Sequence, residues 1–166
     1  KQLPNQLTVT VVERTPVLLW QTKQGTYSVD KYGIVIALAS ETSGANSLRT
    51  VDARSERQTI HPGVQLNGAD VAFAMEVFNR LPQMAGITTF TLRYDPKISV
   101  EGGNGSYVVE STGGWVAYLG GAHDTNPLDN RLIELQQILA MAQQQQLSLA
   151  SIDLRFGLRP VYTLKS

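Results

Sequence analysis

Apolar and polar positions alternate with a period of two at the start of the chain. Leu7, Val9 and Val11 lie between Gln6, Thr8 and Thr10, which predicts a half-buried strand. Pro16 interrupts after Glu13-Arg14-Thr15, and Val17–Trp20 resumes as an apolar strand. Thr26–Val29 and Ile34–Leu38 are two further strands. Asp30-Lys31-Tyr32-Gly33 joins them as a turn in which Gly33 is free to take a positive φ, so the pair is expected to form a hairpin. Residues 40–47 are small and polar, a loop or module boundary, and Leu48–Val51 reads as a short strand.

Periodicity then changes. Asn67 is placed to cap a helix over Gly68–Arg80, with Asp70 in its first turn and Val71, Ala74, Phe78 and Leu81 on one stripe, Met75 and Val77 beside it. Leu81-Pro82 is expected to end it. Four strands are predicted next, at Thr88–Tyr94, Ile98–Glu101, Tyr107–Ser111 and Trp115–Leu119. Their links (Asp95-Pro96-Lys97, Gly102-Gly103-Asn104-Gly105 and Gly113-Gly114) are short enough to force an antiparallel meander. Asn126 as cap and Pro127 at the first helical position open a second helix, carried by Leu128, Leu132, Leu135, Leu139 and Ala142, with Gln143–Gln146 as its solvated end. Ser151–Phe156 and Val161–Lys165 close the chain as strands. The expected class is α+β, an antiparallel meander sheet with two helices on one face, preceded by a β-rich segment.

The 166 residues amount to about one domain of ~100–200 residues with a sizeable core. Fourteen basic and fourteen acidic side chains leave no net charge, which argues against a duplex-binding protein that releases counterions. The absence of cysteine excludes a disulfide framework, a thiolate zinc site and a thiol nucleophile. No apolar run approaches the ~20 residues of a membrane span. Lys1-Gln2-Leu3-Pro4-Asn5 has no signal-peptide character and no initiating Met, so a fragment or processed chain is expected.

Candidate chemistry is sparse. His61 precedes Pro62 and His123 precedes Asp124 in loops, and neither is accompanied by a ligand set or a nucleophile motif. The glycine run 102–105 lies between two predicted strands, where no helix N-terminus could complete a phosphate cradle. Glu41, Glu56, Glu76, Glu101 and Glu110 leave open a carboxylate pair of a wall-associated hydrolase, which their spacing does nothing to support, and Trp20 and Trp115 are expected in the core. A non-enzymatic binding module, with no cofactor and no metal, is the simplest expectation. Its candidate surface is the last strand. Val161, Tyr162, Thr163 and Leu164 favour extended structure, and an unpaired edge there could accept a partner strand. Proline at Thr163 would test that by removing a donor. Within Asp153-Leu154-Arg155, Leu154 is expected to face the core. Asp153 reads as structural, and Arg155 is open to an acidic partner segment.

Two stretches carry a family resemblance. Val11-Val12-Glu13-Arg14-Thr15-Pro16-Val17-Leu18-Leu19-Trp20, followed by Tyr27-Ser28-Val29-Asp30-Lys31-Tyr32-Gly33-Ile34-Val35, resembles the E-R-x-P-x-A-x-W … V-D-x-x-G-x-V pattern of FtsQ/DivIB cell-division proteins. Leu18 stands where the family often has Ala. Trp115–Gly120, the leucine-bearing helix and Ile152-Asp153-Leu154-Arg155-Phe156 resemble the family's V-x-L-G … helix … V-D-L-R-[YF] run. The resemblance implies that residues 1–40 are the closing strands of a POTRA module, 41–67 a linker with a short strand, and 68–166 the β domain that follows. The family's cytoplasmic tail, single membrane span, first POTRA strand and two POTRA helices are not in this sequence. Strands 1–40 without those helices are expected to expose an apolar face and to dimerise or lean on the rest.

The implied role is an extracytoplasmic division scaffold of a single-pass membrane protein. It would bind small coiled-coil division proteins of the FtsB/DivIC and FtsL type by strand addition. Phe156 matches the family's aromatic after Leu-Arg, and Tyr162, Thr163 and Leu164 match the terminal strand by location. Arg155, Phe156, Val161, Tyr162, Thr163 and Leu164 are therefore the candidate partner surface. The alternative is a POTRA-type module that binds or transports many polypeptides across the envelope.

Overall fold

The computed structural model describes residues 9–11, 13–96, 105–157 and 159–166. The expectations placed on Leu7, on the strand Ile98–Glu101 and on the glycines before Gly105 lie outside them. The described residues form nine strands and two helices: β1 (Pro16–Gln21), β2 (Thr26–Asp30), β3 (Val35–Leu38), β4 (Thr50–Asp52), α1 (Gly68–Ala85), β5 (Phe90–Asp95), β6 (Ser106–Ser111), β7 (Val116–Gly120), α2 (Leu128–Gln144), β8 (Leu149–Asp153) and β9 (Val161–Leu164). All nine strands join one sheet in the order β3-β2-β1-β4-β5-β6-β7-β8-β9.

The sheet is mostly antiparallel, as expected, but three of its pairings are parallel: β1 with β4, β4 with β5 and β7 with β8. Two of them fix the helices. α1 is the crossover from β4 to β5, and α2 the crossover from β7 to β8. β5 and β7 run in the same direction because each is antiparallel to β6. Two right-handed crossovers that step the same way along a sheet lay their helices on the same face. The single helical layer thus follows from topology.

One row of inward side chains crosses the sheet strand by strand: Tyr27, Trp20, Val51, Leu92, Val109, Ala117 and Ile152 are cross-strand neighbours in that order. All seven are buried. The helices cover this row with Val71, Phe73, Ala74, Val77 and Leu81 from α1 and Leu132, Leu135 and Ile138 from α2. Aromatic rings link the layers, with Trp20–Tyr94, Tyr94–Tyr107 and Phe73–Tyr107 centroids 5.0, 5.3 and 5.4 Å apart.

The opposite face carries a different row: Gln21, Asp52, Arg93, Val108, Tyr118, Asp153 and Val161. Ion pairs tile it, Asp52 with Arg54 at 2.5 Å, Arg93 with Glu110 at 2.8 Å and Asp153 with Arg155 at 2.5 Å. The Arg54 bond, opposed by burial, holds the Asp52 carboxyl below its usual pKa. A face so furnished with charge needs no second layer.

Several expectations are corrected. Residues 9–11 are not a strand, and Val9 and Val11 are exposed. Pro82 does not end α1, which runs on to Ala85. The stop is Gly86, whose φ of 68° supplies the left-handed residue that closes a helix. Pro82 sits in the last turn, where only one internal N–H bond is forfeited. Asn126 does not cap α2. The cap position falls on Pro127, and Asn126 instead offers its carbonyl to Arg131 Nε at 2.6 Å. The apolar side chains of β1 and β2 are not exposed as a bare face. Leu18, Trp20 and Val29 are buried in the common core beneath α1, so of the two outcomes expected for these strands they lean on the rest of the chain.

Candidate functional site

The two ends of the sheet differ. At one end the outer side of β3 is met by the segment that leads into α1. Val35 N–H donates to Val64 C=O at 2.9 Å, Gly63 N–H to Val35 C=O at 2.8 Å and Leu66 N–H to Gly33 C=O at 2.8 Å. That edge is closed along its first half. At the other end β9 pairs, among the described residues, only with β8, its far side adjoins no described strand, and all four of its residues are exposed. An unpaired edge of this kind is a template for another strand.

The register decides what the edge presents. Lys165 N–H donates to Ser148 C=O at 2.8 Å. Backbone groups alternate sides along a strand, so Val161 and Thr163 also turn their N–H and C=O towards β8. Tyr162 and Leu164 turn theirs outward. The irregularity in this pairing lies between Leu149 and Ser151, on β8, so it leaves the alternation along β9 intact.

Side chains alternate as well. Tyr162 lies opposite Ile152, and Leu164 opposite Leu149, both core residues. The buried row therefore continues onto β9, where the helices no longer cover it: Ile152 is 0 % exposed and Tyr162 39 %, with Leu164 at 47 %. Val161 and Thr163 belong to the charged face. Val161 is opposite Asp153, and Thr163 Oγ1 is 2.7 Å from Ser151 Oγ.

Arg155 and Phe156 lie just beyond β8. Arg155 Nε and Nη2 donate to the two carboxylate oxygens of Asp153 at 2.8 and 2.5 Å, a two-pronged pair that raises the guanidinium pKa. The guanidinium carbon stands 5.1 Å from the Tyr118 ring centre and 5.7 Å from that of Phe156. Phe156 itself is 54 % exposed. Of the six candidate residues, the structure gathers Arg155 with Phe156, sets Tyr162 and Leu164 together on the helix side, and leaves Val161 and Thr163 on the charged side. Sequence reasoning missed Tyr118, which supports Arg155, and Lys165, which ties the end of β9 to Ser148 and reaches Gly113 C=O with Nζ at 3.4 Å. The alternation of Tyr118 with buried Ala117 and Leu119 is the signal that could have found the first.

The loop between β7 and α2 is organised by Arg131, 1 % exposed. Its guanidinium donates to Leu119, Gly121 and Asn126 carbonyls at 2.5, 3.3 and 2.6 Å and lies 3.6 Å from the Asp124 carboxylate. His123 projects from this loop into solvent, and His61 is exposed in the turn before α1. Among the described residues no three acidic or histidine side chains converge as a metal site, and no helix is long and apolar enough to cross a membrane.

No family model matches the chain. Two curated proteins are similar to it. The cell division protein FtsQ of Chloroflexus aggregans is 33% identical over 93 residues, 56% of this chain and 34% of that protein. The cell division protein FtsQ of Chloroflexus aurantiacus is 30% identical over 93 residues, with the same shares. The match spans about a third of the length of these relatives. Joined to an α+β chain that bears the Glu13–Trp20, Val29–Gly33 and Ile152–Phe156 motifs, they support assignment of the chain to the FtsQ family of cell-division proteins.

Proposed function

We propose that the chain is a non-enzymatic scaffold of the bacterial division machinery, and that it holds an extended segment of a partner against β9. One observation carries this reading: the buried row that crosses the sheet runs out onto an edge strand with its outer backbone groups open, at Tyr162 and Leu164. The partners would be small single-span coiled-coil division proteins of the FtsB/DivIC and FtsL type. The chain itself would work outside the cytoplasm, held by a single membrane span. On this reading residues 1–40 are the end of a POTRA module, joined by 41–67 to the β domain of 68–166.

Magnitudes set what the partner must bring. Tyr162 and Leu164 each offer one outward N–H and one outward C=O, four hydrogen bonds worth together about 2–6 kcal/mol at ~0.5–1.5 each. A micromolar complex needs about 8 kcal/mol. Strand addition alone falls short, so the exposed flanks of Tyr162 and Leu164 must be covered by apolar partner side chains. Phe156 and Arg155 would supply an aromatic and a cationic contact beside the strand, within reach of an acidic residue.

The test is calorimetric binding of the extracytoplasmic segment of the same organism's coiled-coil division protein to the parent chain and to a chain lacking residues 161–166. Binding by the parent and its loss on truncation, with the thermal unfolding of the remainder still cooperative, supports the site. Equal binding by both chains overturns it. Weak capture of many unrelated extended peptides, with no preference for the coiled-coil protein, would point instead to a POTRA-type polypeptide carrier.

A further inference from the structure

The outer side of β9 adjoins no described strand, and its backbone pattern is the same read from either end. Thr163 turns its N–H and C=O towards β8, while Tyr162 before it and Leu164 after it each turn one donor and one acceptor outward. Such an edge is complementary to itself. With a second copy laid antiparallel and a two-fold axis at Thr163, Tyr162 of each copy faces Leu164 of the other as a hydrogen-bonded pair. Every outward group of both residues is then satisfied.

Neighbouring registers do less. An axis at Tyr162 sets Leu164 against Pro160, which has no N–H to give. An axis at Leu164 sets Tyr162 against Ser166 and leaves its ring without an apolar neighbour. Only the axis at Thr163 covers Tyr162 and Leu164, both exposed on the helix side, with each other. On the charged side the two threonines meet, and exposed Val161 lies opposite Lys165 of the second copy. The stem of that lysine can cover Val161, and its ammonium points along a face where Asp153 is the residue opposite Val161. Lys165 is the one charged residue of 161–165, so no like charges meet in the strand pair, and a chain of zero net charge carries no long-range repulsion between copies.

We propose that the chain forms a two-fold dimer through β9, with Tyr162 paired to Leu164 across an axis at Thr163. An isologous pairing uses up the open edge of both copies, so it closes at two and does not grow into a fibre. A four-residue strand buries less than the ~1,200–2,000 Å² of a stable interface, so the dimer is weak and fills at high concentration. It rests on the open edge and not on the partner's identity. Where a partner strand uses the same edge, dimer and partner exclude one another.

Cysteine cross-linking reads the axis directly, because the chain has no cysteine of its own. Facing residues of a non-hydrogen-bonded antiparallel pair have Cα atoms about 4.5 Å apart, within disulfide range. The two copies of Tyr162, like those of Leu164, stand about 8 Å apart in this register, beyond that range. Thr163→Cys is expected to give a covalent dimer under mild oxidation at least about tenfold faster than Tyr162→Cys or Leu164→Cys. In sedimentation equilibrium the parent's average mass is expected to rise between about 10 µM and 1 mM, and Leu164→Pro to weaken association at least about tenfold while unfolding as cooperatively as the parent. A parent that stays monomeric over this range, association that Leu164→Pro leaves intact, or cross-linking no faster at 163 than at 162 overturns the dimer. A chain that stays monomeric but binds the coiled-coil division protein in calorimetry overturns the dimer and leaves the scaffold reading in place.

Discussion

Lys165 N–H donates to Ser148 C=O at 2.8 Å, and this one bond sets the parity of the whole edge strand. Val161, Thr163 and Lys165 direct their backbone groups inward, and Tyr162 and Leu164 direct theirs to open solvent. Proline at Thr163, the substitution the sequence suggests, therefore strikes a bond that holds β9 to β8. It is expected to loosen the strand itself by about 1–3 kcal/mol. Tyr162→Pro and Leu164→Pro remove only outward donors, which an edge strand tolerates. Urea unfolding should move little for these two, while partner affinity falls at least about tenfold for each hydrogen bond and side chain lost together. If Thr163→Pro spares stability and Tyr162→Pro spares binding, the assigned parity is wrong.

Arg131 joins α2 to the end of β7 by bonding main-chain carbonyls of Leu119, Gly121 and Asn126, beside the Asp124 carboxylate. Truncating it to Ala leaves those carbonyls and a carboxylate without their cation. The expected loss is about 3–5 kcal/mol, read as a lower urea midpoint at unchanged slope. Arg131→Lys is expected to recover only part of this, because a point charge cannot fork between carbonyls as the planar guanidinium does. Full recovery by Lys would mean that charge alone matters here.

The contrast between what could and could not be read in advance follows from where each signal sits. The β2–β3 turn is written in four adjacent residues, Asp30 to Gly33, and it formed as expected. The parallel pairing of β4 with both β1 and β5 leaves no such local mark, since the partners lie tens of residues apart and no turn records them. Leu48–Val51 could be read as a strand, but not as the strip that joins residues 16–38 to the rest. Phe73 was missed because α1 buries more than one stripe. Its ring meets Tyr107 on one side and the Arg131 guanidinium on the other, neighbours that only the fold supplies. Of the candidate surface, Val161–Leu164 was legible as a strand from residues that favour extended structure. Which of its residues face outward was not, because the irregularity at Leu149–Ser151 shifts β8 relative to β9.

Gly33 adopts φ 85°, and a Cβ built there would stand 2.5 Å from the Leu66 carbonyl oxygen. That oxygen belongs to the segment that closes the β3 edge, so the turn and the closed edge depend on the same absent side chain. Asp30 completes the turn. Its burial opposes ionisation, but bonds from the Ile34 N–H, the Arg14 guanidinium and the Tyr32 N–H outweigh this and hold its carboxyl below the usual pKa. Gly33→Ala is expected to cost about 1–3 kcal/mol, more than an ordinary loop substitution. Hydrogen exchange should show faster exchange at Val35 and Leu66 in this variant. Unchanged protection at both would show that the edge is held by other means.

Asp70 behaves in the opposite sense to Asp30. Burial raises its pKa, Glu56 raises it further, and the Tyr94 hydroxyl, the Gly105 N–H and the charge of His123 offset only part of this. Tyr107, buried beside it, is pushed well above its ordinary value and stays neutral. Between the usual carboxyl pKa and the raised one, the folded chain binds more protons than the unfolded chain. Stability must therefore fall as pH rises through that window. The depressed Asp30 and Asp52 act at lower pH with the reverse slope, losing their contribution as pH falls through their folded values. Asp70→Asn carries no such proton and keeps an acceptor for the Tyr94 hydroxyl. The stability difference between Asp70→Asn and the parent, from urea unfolding at steps between about pH 4 and pH 8, is expected to move in favour of Asn as pH rises and then level off. A difference that stays flat across the series would mean that Asp70 ionises as freely in the fold as in the open chain.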